Sequence, residues 1–163
     1  TKNKNIFKLS KPYTITTLPM KLLFKVEELY NNIILKTEFV NLETNLKIKE
    51  FLSKIQDIEL TLFNQFKEYI DENYYERKVQ FKSQINQHKQ YNPYLLIKIL
   101  KKNTKYNREI VTKVFDNHHN SLSLFSLEPK DLLVCSLIID TIWISNNNEV
   151  ILKMKAEKIV KTN

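Results

Sequence analysis

Leu132-Leu133-Val134-Cys135-Ser136-Leu137-Ile138-Ile139-Asp140-Thr141-Ile142-Trp143-Ile144-Ser145 reads as one long strand, rich in β-branched residues, with apolar side chains on both faces in places. Asn146-Asn147-Asn148 turns the chain. Val150 to Val160 then returns as a second strand, with Leu152, Met154 and Ala156 on one face and Lys153 and Lys155 on the other, beside Glu157. A sheet of long, paired strands is thus set by the C-terminal third.

Working outward, Pro93 ends whatever precedes it, and Tyr94 to Lys101 follows as a strand. Residues 102–107 form its turn and Ile110 to Phe115 its partner strand. Met20 to Val26 alternates with Leu22, Phe24 and Val26 inward, and Ile33 to Phe39 repeats the pattern after Asn31-Asn32, which gives a hairpin. Between these pairs the period changes. Ile48, Phe51, Leu52, Ile55, Ile58, Leu62, Phe63, Phe66 and Ile70 recur at steps of three and four, the spacing of an amphipathic helix capped by Thr44 or Asn45. Residues 74–91 read as a shorter helix or an irregular lid. The expected fold is α+β: a curled antiparallel sheet in a single domain, 1–163, with a helical insertion at about 43–91.

The chain of 163 residues has no glycine, although an average composition would supply about eleven. Alanine occurs once and Arg twice, which points to an A+T-rich genome before it points to physics. The physical consequence is firm. Walker A loops, Rossmann fingerprints, nucleophile elbows and EF-hand loops all need backbone positions that glycine alone supplies. Tight turns fall to Asn, at 31–32, 117–120 and 146–148. No apolar run reaches the ~18 residues of a membrane span. The polar start and single Cys135 lead to the expectation of a soluble protein in a reducing compartment.

The net charge of +8 is concentrated. Residues 1–36 carry +5, residues 37–76 carry −5, residues 114–163 carry −1, and residues 77–113, with ten Lys/Arg against Glu109 alone, carry +9. A solvated face rich in Lys is the plain alternative, but coding bias would spread Lys evenly, which favours a binding surface. Phe81, Tyr91, Tyr94 and Tyr106 interleave with it and Phe115 lies just beyond. Cations that track phosphates and rings that stack on bases suit a single-stranded nucleic acid, DNA or RNA.

Enzymatic constellations are absent from this reading. His88, His118 and His119 with one Cys do not make a zinc spacing, and Asp71, Glu72, Asp131 and Asp140 are too sparse for a two-metal centre. No cofactor is expected. Asp140, in an apolar strand, pairs with a cation, faces solvent or lines a concave face. Trp143 is a core residue, the commoner place for a strand Trp, or a stacking platform.

Leu127-Glu128-Pro129-Lys130-Asp131 ahead of the long strand, its Ile142-Trp143-Ile144-Ser145 ending, the Asn turn and the Lys-bearing strand Ile151 to Ile159 resemble the C-terminal signature of single-stranded-DNA-binding proteins of nucleocytoplasmic large DNA viruses, the African swine fever virus type among them. Small size and A+T bias make the single-strand binders of yeast cytoplasmic linear (killer) plasmids a close cousin. The resemblance implies an OB-type β-barrel and a role in coating displaced strands during replication in the host cytoplasm. Where that family usually carries Gly in the last turn, Asn148-Glu149 stands here, which fits if Asn148 takes the left-handed conformation.

The expected phosphate contacts are Lys98, Lys101, Lys102, Lys105, Arg108 and Lys113, with Lys153 and Lys155 bordering the same groove. The expected stacking surfaces are Tyr94, Tyr106 and Phe115, with Trp143 beside them. Replication proteins and further copies of the chain are the other partners this reading leaves open; a membrane is not among them. A protein–protein module remains the alternative, its sign an exposed apolar patch on residues 46–70.

Overall fold

The computed structural model describes residues 5–74, 76–103, 105 and 108–163, with Asn103 and Arg108 described by their backbone alone. The strands are β1 (Ile6–Thr16), β2 (Met20–Leu22), β3 (Glu28–Leu29) and β4 (Asn32–Glu38), followed by α1 (Leu46–Asn73). The chain continues with β5 (Gln80–Lys82), β6 (Ile85–Asn86), β7 (Tyr94–Ile99), β8 (Lys101–Asn103), β9 (Arg108–Ile110) and β10 (Lys113–Phe115). It closes with β11 (Leu132–Ile144), β12 (Glu149–Leu152) and β13 (Lys155–Lys161).

Five strands pair in a circuit. β2 pairs with β4, β4 with β7, β7 with β13, β13 with β11, and β11 again with β2. In chain order their neighbours run first, second, third, fifth, fourth and back to first. The interior is filled by alternate residues of all five: Met20 and Leu22, Ile33 and Leu35, Leu95, Ile97 and Ile99, Ala156 and Ile159, and Leu133, Cys135, Leu137 and Ile139, each at most 1% exposed. Burying the Leu, Ile and Met side chains among these contributes about 1.5–3 kcal/mol apiece, an upper bound given a compact unfolded chain. The single alanine, Ala156, sits where β13 is flanked by Ile99 on one side and Leu137 on the other.

The sheet is mixed rather than antiparallel as expected. β7 and β13, β10 and β13, and β12 and β5 are parallel. The anticipated 94–101/110–115 pair is also corrected. β7 pairs with β4, β6 and β13, the short β8–β9 hairpin stands apart, and β10 lies along β13. The return strand from 150 to 160 is split into β12 and β13 around buried Met154.

Asn45 caps α1, its side-chain oxygen accepting from Lys47 N at 3.0 Å and Ile48 N at 3.4 Å. The helix buries Ile48, Phe51, Leu52, Ile55, Ile58, Phe66 and Ile70, as its spacing requires. Its rings lie on those of three other segments: Phe51 on Phe39 (6.1 Å), Phe63 on Phe81 (5.1 Å) and Phe66 on Phe7 (5.0 Å). Glu59, 1% exposed, accepts from Ser83 Oγ at 2.6 Å and Gln84 N at 2.8 Å, tying residues 83–84 to α1. Burial pushes its carboxyl above the usual range, against the pull of those two bonds. The described residues of the segment 74–91 are irregular and hold only β5 and β6. No helix among the described residues is long and apolar enough to cross a membrane.

Positive φ falls on Asn31, Asn41 and Asn148, but also on Tyr30, His119 and Lys130. Asn148 takes the left-handed conformation (φ 59°) that the last turn requires. At 117–120 it is His119 that does so, while Asp116 accepts from the His118 and Asn120 backbone N–H groups. Those bonds, Asn120's first, hold the Asp116 carboxyl below its usual range.

Candidate nucleic-acid interface

Alternation that sends Leu35, Thr37, Leu95 and Ile97 inward sends Ile34, Lys36, Tyr94, Leu96 and Lys98 outward on β4 and β7. Register aligns Ile34, Lys98, Lys155 and Ile138 in a row across four strands, with Lys36 and Leu96 in the next row. The helix does not cover this face: Ile34 is 48% exposed.

At one end, the Lys36 ammonium lies 5.5 Å from the Phe24 ring centre and 6.0 Å from that of Tyr94. Phe24 meets Tyr91 edge-on at 6.0 Å, and Tyr91 packs on His88 at 5.1 Å. A cleft of about 390 Å³ between residues 24–29 and 34–36 adjoins them. Phe24 is 46% exposed, not inward as its alternation with Leu22 suggests, because β2 ends at Leu22.

At the other end stands Trp143, reached by a slip in β11. Odd-numbered residues from Leu133 to Ile139 are buried, Asp140 and Thr141 are both half-buried, and even-numbered Ile142 and Ile144 are buried thereafter. Strict alternation would have put Trp143 in the core. The phase change, where Leu9–Pro12 leave the β1–β11 ladder, turns it to the outer face. Lys153 Nζ lies 4.3 Å from the centre of its ring.

Lys98 and Lys155 flank Lys153, and their ammonium groups repel that of Lys153. Partial burial first, and then these like charges, lower the Lys153 pKa to about 8. Asp140 holds Lys155 at 2.8 Å and accepts from Thr141 Oγ1 at 2.9 Å. Burial opposes ionisation of Asp140, but these partners outweigh it and keep the carboxyl below its usual range. The open question about Asp140 is answered by a cation, Lys155.

β10 continues the face along β13. Lys113 is in register with Lys158, and the Lys158 ammonium lies 5.9 Å from the Phe115 ring centre. An open groove of about 860 Å³ runs on from there past Lys102, Lys113, Phe115 and Phe125.

Of the sequence-predicted residues, Tyr94, Lys98, Trp143, Lys153 and Lys155 share this surface, and Lys113 and Phe115 extend it. Lys101 is occupied elsewhere: its ammonium pairs with Glu28 at 2.9 Å and with the Asn31 carbonyl, and its side chain is 11% exposed. Lys102 and Lys105 are exposed. Tyr106 and the Arg108 side chain lie outside the described residues. Sequence reasoning missed Lys36 and Phe24, which stand outside the basic block, and passed over Tyr91 as a site residue. The signal was the outward phase of residue 36 between two inward neighbours, Leu35 and Thr37.

Cys135 is fully buried and its thiol is pushed up to about 12 by burial, so it is not a nucleophile at neutral pH. No group of three His, Cys, Asp or Glu placed to hold a metal is found among the described residues.

No family model matches the sequence, and no curated protein matches it. The fold is similar to that in the crystal structure of gp2.5, a single-stranded DNA binding protein encoded by bacteriophage T7, with a TM-score of 0.60 and 9% identity over 94% of this chain and 92% of that one.

Proposed function

We propose that the chain is a non-enzymatic single-stranded DNA-binding protein of low sequence specificity, and that its five-strand circuit is an OB-type barrel. The observation that carries this reading is the outer face of β4, β7 and β13. Aromatic rings and cations are interspersed on it and at its margins, from Phe24, Lys36 and Tyr94 to Lys98, Lys153 and, on β11, Trp143. The likeness in fold to a phage protein that binds single-stranded DNA supports it. So does the match between the circuit's order, with its one parallel pair, and a five-stranded Greek-key barrel whose second and third strands receive oligonucleotides. Rings stack on any base and lysines meet any phosphate, so sequence preference is weak.

Coating of displaced strands during replication of a cytoplasmic virus-like or linear-plasmid genome is our reading of context, and it rests on the resemblance of residues 127–159. The protein–protein alternative has less to stand on. The large apolar residues exposed on α1 are Leu46, Leu60 and Tyr69. They lie about 21 and 13 Å apart along the axis and make no continuous patch.

Fluorescence anisotropy with labelled oligo-dT tests the face. The triple variant Lys36→Ala/Lys98→Ala/Lys153→Ala is expected to weaken binding at least tenfold, on the basis of about 0.5 kcal/mol or more for each of three lost phosphate contacts. Lys101→Ala/Lys102→Ala/Lys105→Ala is expected to weaken it less. The reverse order would place the DNA on the β8–β9 hairpin and overturn the assignment. Competition with matched RNA ranks the two nucleic acids.

A further inference from the structure

Trp143 is presented outward yet its ring is not bare: the Lys153 ammonium stands over it. That ammonium has Lys98 facing it from β7 and Lys155 from β13, and Lys155 is itself held by Asp140 of β11. The position is a compromise. Lys153 gains the ring's negative face but keeps two like charges beside it and loses part of its hydration.

Resting on the DNA-binding reading, we propose that Lys153 is a phosphate-operated lid on Trp143. A backbone phosphate entering between Lys98, Lys153 and Lys155 draws the Lys153 ammonium off the indole, and the base of the same nucleotide takes its place on the ring. The ligand of this subsite is therefore one nucleotide unit, with its phosphate on the lysines and its base on Trp143.

The physics favours the exchange in one direction. A charge-assisted bond to a phosphate is stronger than a cation–ring contact at a half-exposed site, and an anion relieves the repulsion of Lys153 by its two neighbours. The depressed pKa of Lys153 agrees with this, since an arriving phosphate stabilises its charged form. Without a phosphate the ring stays covered, so free bases and apolar surfaces do not compete for it. The order of events follows: phosphate first, base second.

Trp143 is the chain's only tryptophan, so its emission reports this subsite alone. The experiment follows quenching by acrylamide, a neutral probe, with binding read separately by anisotropy. Three states of the wild-type chain are compared: free, bound to an abasic sugar–phosphate oligomer, and bound to oligo-dT. The abasic oligomer is expected to raise quenching by lifting the lid with no base to replace it, and oligo-dT to lower it below the abasic value. In Lys153→Ala quenching of the free chain is already raised, and the abasic response is lost. Binding of the abasic oligomer with unchanged wild-type quenching overturns the lid and leaves the DNA-binding reading intact. Failure of both oligomers to bind at low salt overturns both.

Discussion

Lys153 is where residue chemistry and binding meet. Its pKa of about 8 means that the free protein loses this charge just above neutrality. A lysine whose folded pKa lies below its ordinary 10.5 disfavours folding while it is charged. That penalty is in full force below pH 8 and fades as pH rises toward 10.5. On the proposed reading DNA acts oppositely, since a phosphate holds the proton on. Affinity for oligo-dT is therefore expected to fall between pH 7 and pH 9, by up to about tenfold from one linked proton. Lys153→Arg, which stays charged throughout, flattens the profile. Equal pH profiles for the two proteins would remove Lys153 from the interface. Asp140 does not confuse the result, because its carboxyl is held below the usual range and stays ionised over this interval.

At the scale of elements, the missing glycines leave a mark. The β3–β4 hairpin turns through Tyr30 (φ 50°) and Asn31 (φ 66°), and Tyr30 is 96% exposed, so its ring contributes no packing to offset its strain. Tyr30→Gly is expected to stabilise the fold by about 1 kcal/mol, the approximate cost of a left-handed non-glycine residue. In a chain of this size that raises Tm by roughly 2–4 °C. A lowered Tm would mean that Tyr30 makes contacts its exposure hides. Elements with a clear local period were legible in the sequence: α1, β4, β7 and β11, with Asn45 among the expected caps. β1 was not, because Ser10-Lys11-Pro12 interrupts it and Tyr13 is exposed. The partner of β10 was not legible either. Lys113 meets Lys158 forty-five positions away, and local periodicity carries no information about long-range register. The candidate site was half legible for the same reason. Composition located Lys98 and Tyr94, but pairing across strands is what brings Lys36 beside Tyr94. A phase slip at Asp140 turned Trp143 outward against the alternation that precedes it.

For the whole molecule, the consequence of the fold is one uncovered face. The helix packs on Phe39, Phe81 and Phe7 and leaves the outer side of β4, β7 and β13 open. On it and on adjoining β10 stand Lys36, Lys98, Lys153, Lys155, Lys158 and Lys113, with rings at intervals. From Tyr94 to Lys98 along β7 is four residues, about 13 Å. On the proposed reading the face has room for several nucleotides rather than one, and each phosphate taken would release counterions. The most direct measurement is the affinity for oligo-dT as a function of salt. With four to six lysines engaged, log K against log salt is expected to fall with a slope of about −3 to −4. A slope near zero, or no binding at low salt, contradicts a single-strand-binding face on this molecule.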